Sequence, residues 1–97
     1  MREFADKTAV ITGGASGIGF ALAQLCSEKR MNIVLADIEE RALSSAGKYF
    51  EDRQANVLGL KTDVSNKKSV EALFDEATSE FGKIHLLFNN AGVVNGG

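Results

Sequence analysis

Four short β-branched, apolar runs alternate with stretches of helical period along this 97-residue chain, and that alternation leaves few folds open. Thr8 to Thr12 (TAVIT) stops at Gly13-Gly14, a turn signal. Gly17 to Arg30 carries Ile18, Ala21, Leu22, Leu25 and Cys26 at helical spacing, with Lys29 and Arg30 in a last turn that favours positive charge. Asn32 to Asp37 (NIVLAD) is a second apolar run, and Glu39 to Arg53 places Leu43, Ala46 and Phe50 on one stripe. Asn56 to Val64 reads as a third strand. Ser65 is the expected N-cap of a helix over Lys67 to Phe81, with Val70, Leu73, Phe74, Ala77 and Phe81 inward. Lys68 stands where a capping box needs Glu or Gln, so no box forms. Ile84 to Asn89 (IHLLFN) is the fourth strand, ahead of Asn90-Ala91-Gly92.

The order βαβαβαβ demands helical crossovers, which make the strands parallel, and near-continuous apolar strands need cover on both faces. Right-handed crossovers then give a three-layer α/β fold with strand order 3-2-1-4, half of a doubly wound sheet. Residues 1–97 read as one domain, without repeat, linker or proline. An apolar fraction of 44 % with a net charge of only −2 excludes a disordered chain and argues against a nucleic-acid or membrane-binding surface. No apolar run approaches the roughly 20 residues of a membrane span. The lone Cys26 builds no disulfide framework, and no apolar signal core opens the sequence, so a cytoplasmic setting is expected. Leu86, Leu87 and Phe88 read as a central strand although they would lie at a sheet edge. The expectation is therefore the front part of a longer chain, or a product cut short.

The most informative segment is Thr12-Gly13-Gly14-Ala15-Ser16-Gly17-Ile18-Gly19, between a strand and a helix. A helix N-terminus leaves backbone N–H groups unpaired and carries partial positive charge, so it receives a pyrophosphate. Gly13 permits the sharp turn, Gly17 lets backbone approach phosphate, Gly19 allows close packing of helix on strand, and Ser16 adds a hydroxyl donor. Asp37 ends the second strand, where a carboxylate accepts from both adenosine ribose hydroxyls and repels a 2′-phosphate, with no basic residue at 16 or 38 to reverse that preference. Asp37 also suits a helix cap before Glu39-Glu40, and the two roles are compatible.

These motifs resemble the N-terminal half of the short-chain dehydrogenase/reductase family. T-G-x-x-x-G-x-G is matched by Thr12 to Gly19, N-N-A-G by Asn89 to Gly92, and an acidic-apolar pair after the third strand by Asp63-Val64. Ser16, where the extended branch has glycine, is similar to the compact single-domain branch. The resemblance implies a Rossmann fold and NAD in preference to NADP. It implies that Asp63 bonds the adenine amino group, that the Val64 backbone touches the ring, and that Asn90, Ala91 and Gly92 line the adenosine-ribose side. Asn89 is expected to support the sheet through side-chain bonds to backbone. Taken alone, Asp63 reads equally as a turn residue before the Ser65 cap.

The family's chemistry is hydride transfer between the cofactor and an alcohol or carbonyl, through a serine, a tyrosine with a lysine four residues on, and an asparagine. No Y-x-x-x-K pattern occurs here, and the one tyrosine, Tyr49, is followed by Arg53 on the second helix. No catalytic residue is assigned. The parent enzyme is expected to be a homo-oligomeric NAD-dependent oxidoreductase. The alternatives are a non-catalytic, truncated nucleotide-binding or interaction protein, and a methyltransferase-like doubly wound fold that leaves Asn89 to Gly92 unexplained. His85 lacks clustered partners for a metal and Cys26 reads as a small buried hydrophobe.

Overall fold

A computed structural model describes residues 4–90 of the chain. The elements run β1 (Thr8–Thr12), α1 (Gly17–Glu28), β2 (Asn32–Asp37), α2 (Glu40–Asp52), β3 (Val57–Lys61), α3 (Lys67–Phe81) and β4 (Leu86–Asn89). All pairings are parallel and the strand order is β3-β2-β1-β4, the order expected for half of a doubly wound sheet. Strand alternation sorts the side chains into two cores. Ala9, Ile11, Ile33 and Leu35 pack with Cys26, Leu43, Ala46 and Phe50 under α1 and α2, while Val10, Val34 and Ala36 meet Leu73 and Ala77 of α3 on the other face. Each fully buried Val, Leu, Ile or Phe among them contributes roughly 1.5–3 kcal/mol. Among the described residues no helix is long and apolar enough to cross a membrane.

Several boundaries differ from the sequence expectation. Helix α1 ends at Glu28 rather than Arg30, because Arg30 takes φ 65° and turns Met31 back into the core. Its inward face is Gly19, Ala23 and Cys26, small residues that let the helix lie close to the sheet and to the turn before it. Ile18 and Leu25 are instead 72 % and 52 % exposed, on the flank away from α2, whereas Phe20 and Gln24 meet Tyr49. Strand β3 stops at Lys61, paired with Asp37, because the next residues form the turn into α3. That helix is capped by Asn66, whose side chain accepts from the Ser69 N–H at 3.0 Å, and not by Ser65. Val70, Phe74 and Phe81 are only half-buried on α3. Strand β4 begins at Leu86 because the exposed His85 intercepts the ladder: its Nδ1 accepts the Thr8 N–H at 3.0 Å.

Candidate functional site

The strand order reverses between β1 and β4, and the carboxyl ends of the strands open there, the position where open α/β sheets hold ligands. Thr12 closes this end of β1. Its hydroxyl accepts the Asn90 N–H at 2.9 Å and lies 3.1 Å from Asn89 Oδ1 and 3.3 Å from the Phe88 carbonyl. Among the described residues the Asn89 side chain thus meets a hydroxyl rather than a backbone group. Asn90 Nδ2 points to the Gly13 carbonyl at 3.4 Å, so the side chain expected beside a ribose is engaged with the glycine turn. Ala91 and Gly92, expected beside Asn90, lie outside the described residues.

The turn after β1 is possible because Gly13 and Gly17 take φ 65° and 58°, the left-handed region that side chains disfavour. Space beside Gly17 is open, as a backbone-to-ligand approach requires. Gly19 meets the turn rather than the strand: a Cβ there would run into the Gly13 carbonyl. Gly14, which the sequence pattern treats as variable, is closed as well, though less tightly, since a Cβ would lie 2.8 Å from the Ile11 carbonyl oxygen and 3.0 Å from Leu35 Cδ2. No sequence signal marks that constraint beyond the glycine itself.

Backbone bonding divides the turn into two halves. The N–H groups of Gly13 and Gly14 both donate to the Ala36 carbonyl, at 2.7 and 3.2 Å, and the Ala15 N–H donates to Asp37 Oδ2 at 3.1 Å. From Ser16 to Gly19 no amide finds an acceptor among the described residues, and the first helical bond is Phe20 N–H to the Ser16 carbonyl. These are the unpaired donors that a helix N-terminus must present. Ser16, the N-cap, has an exposed side chain that makes no capping bond. Ile18 contributes its amide to the same group, with its side chain exposed.

Asp37 stands across from this turn at the end of β2. Oδ1 accepts the Glu39 N–H at 3.1 Å, so the carboxylate supports the entry to α2 while the formal N-cap is Glu39. Beside it Ile38 is 53 % exposed, an apolar surface that sequence reading passed over. Asp63 lies past β3, with Oδ1 accepting from the Ser65 hydroxyl at 2.6 Å and the Ser65 N–H at 3.0 Å. These two bonds, the hydroxyl first, hold its carboxyl below the ordinary aspartate value. Val64 lines an apolar groove of about 180 Å³ with Val70, Phe74 and Leu87. Tyr49 is remote from this end of the sheet, its hydroxyl accepting from Gln24 Nε2 at 2.9 Å. Cys26 is buried, and desolvation raises its thiol pKa.

A family model described as short chain dehydrogenase matches residues 7–97. The chain belongs to the short-chain dehydrogenase/reductase family. A crystal structure of a short-chain dehydrogenase/reductase from Burkholderia phymatum in complex with NAD superposes with a TM-score of 0.92 at 50 % identity, covering 96 % of this chain and 33 % of that one. The apo form of LigO from Sphingobium sp. strain SYK-6 gives a TM-score of 0.92 at 35 % identity, covering 100 % of this chain and 36 % of that one. A diacetyl reductase [(S)-acetoin forming] from Staphylococcus epidermidis is 42 % identical over 88 residues, 91 % of this chain and 34 % of the relative. The chain therefore spans about a third of the length of these proteins.

Proposed function

We propose that residues 1–97 form one nucleotide-binding domain of an NAD-dependent oxidoreductase. The observation that carries this reading is the run of uncommitted amides from Ser16 to Gly19 facing a helix dipole, with the Asp37 carboxylate opposite. The diphosphate fits the first feature, because those donors have no acceptor among the described residues and nothing lies within 4 Å of a Cβ built on Gly17. The adenosine ribose fits the second. Among the described residues each Asp37 carboxylate oxygen has one donor, and a carboxylate oxygen accepts more than one, so lone pairs remain for two hydroxyls. The exposed Ile38 offers an apolar face to the adenine ring, and Asp63 with the Val64 backbone takes its edge. Asn90, Ala91 and Gly92 complete the ribose side, with Asn90 also holding the Gly13 carbonyl.

A bound NAD supplies hydride transfer to or from a carbonyl or alcohol, the chemistry proposed for the whole enzyme. The residues of this chain bind and orient it. Asp37 disfavours NADP because a 2′-phosphate would meet a carboxylate with no basic residue at position 16 or 38. Calorimetric titration with NAD and NADP tests the reading. NAD should bind at least about tenfold more tightly, the effect of one lost charge-assisted hydrogen bond of ~1.5 kcal/mol. Equal affinity for the two, or preference for NADP, refutes the assignment of Asp37.

A further inference from the structure

On the reading that this end of the sheet holds a dinucleotide, we propose that Asp37 is also a positioning residue for the glycine turn, so that diphosphate grip and ribose selection form one coupled unit. The three committed amides of the turn all end on two consecutive residues of β2. Gly13 and Gly14 donate to the Ala36 carbonyl, and Ala15 donates to Asp37 Oδ2 across 22 positions of sequence. Ala15 is 9 % exposed, and its N–H has no other acceptor among the described residues. The carboxylate that receives it is itself fixed. Its second oxygen takes the Glu39 N–H, and the Asp37 carbonyl accepts the Thr62 N–H at 2.9 Å from the neighbouring chain segment.

This arrangement has a direct chemical consequence. Because the Ala15 N–H faces Asp37, the donors left for a diphosphate begin at Ser16, and the carboxylate sets the direction of the Gly14–Ala15 peptide, the one immediately before that first donor. Removing the carboxylate orphans the Ala15 N–H and frees that peptide to rotate, so the next amides lose their preset aim. An anion then has to order the turn as it binds, which weakens it even when the ligand makes no contact with Asp37.

The test compares ADP with 2′,3′-dideoxy-ADP, which keeps the diphosphate and lacks both ribose hydroxyls, on the unmodified chain, Asp37→Ala and Asp37→Asn. Affinities are read by calorimetry and amide exchange by NMR. The coupled unit requires Asp37→Ala to weaken the dideoxy ligand about five- to tenfold, the scale of one charge-assisted bond partly replaced by water. It also requires Ala15 amide exchange to accelerate at least about tenfold while Gly13, bonded to Ala36, stays protected, which separates local loosening from unfolding. Asp37→Asn keeps one acceptor oxygen and should fall between, and it carries the test if the alanine variant does not fold. If the dideoxy ligand binds all three proteins alike, the coupling is overturned and the dinucleotide reading stands. If the unmodified chain binds neither ADP nor NAD, that reading fails and the coupling falls with it.

Discussion

Two glycine-to-alanine substitutions in helices should move stability in opposite directions. Gly47 lies in α2, and a Cβ built on it meets nothing within 4 Å. Gly47→Ala therefore gains the helix propensity of alanine, about 0.5–1 kcal/mol, without a steric cost. Gly19 lies in the first turn of α1, where the added Cβ would strike the Gly13 carbonyl oxygen, with the Gly13 carbonyl carbon at 2.7 Å and Asn90 Nδ2 at 3.0 Å. Two of those atoms are backbone and cannot swing aside. The substitution gains the same propensity but forces α1 away from the turn, an overpacking cost of roughly 1–3 kcal/mol, at the upper end because backbone must move. A net loss of about 1–2 kcal/mol is expected, so the two variants should differ by ~2–3 kcal/mol. For a domain of this size each kcal/mol shifts Tm by about 4–8 °C, well above the error of a thermal melt followed by circular dichroism. Gly19→Ala melting at or above the parent protein would refute the close approach of helix to turn, and with it the spacing of the motif. Gly47→Ala melting below the parent would refute the open space on α2.

Other outcomes follow from single bonds. Ser65→Ala removes the stronger of the two bonds to Asp63, so that carboxyl should titrate at higher pH than in the parent protein, yet still below an ordinary aspartate because the Ser65 N–H remains. A folded pKa held low means that this local turn is favoured at pH above the ordinary aspartate value, and that the contribution is lost as pH falls through the folded pKa. Carbon-detected NMR titration in both proteins reads the shift directly, and an unchanged Asp63 titration would contradict the hydroxyl contact. His85→Leu removes the acceptor for the Thr8 N–H, a buried group, and should cost roughly 1–3 kcal/mol in urea unfolding. Unaltered Thr8 amide protection would show that the imidazole bond does not hold β4 to β1.

Element order and strand order were legible because each βα crossover carries its own local signals: β-branched runs, glycine turns and the stripe Leu43, Ala46, Phe50 that α2 does bury. The face of α1 was less legible. Ile18, Leu25 and Cys26 share helical spacing, but only contact with the sheet separates Cys26 from the other two, and small Gly19 and Ala23 look neutral in sequence. The cap of α3 was missed by one residue because Ser65 and Asn66 are both good caps, and Asp63 had already claimed the serine. At the candidate site, Gly13, Gly17 and Gly19 were legible by spacing, and Asp37 by its place at the end of a strand. Its bond to Ala15 was not, since nothing local links positions 15 and 37. The closed space at Gly14 is set by the Ile11 carbonyl and by Leu35 from another strand, and neither contact is visible in the sequence.

The placement of β1 between β2 and β4 has a kinetic consequence. Its second neighbour arrives late: the Thr8–His85 bond spans 77 residues, and Thr12–Asn90 spans 78. At ~5–20 residues per second a ribosome takes about 4–15 s to make that intervening stretch. Throughout that interval one side of β1 stays unzipped, and the pairings that clamp the glycine loop wait on the longest-range hydrogen bonds among the described residues. The carboxyl end of β1 is thus braced only once β4 has been made, although β1 and its glycine turn precede β4 by three crossovers.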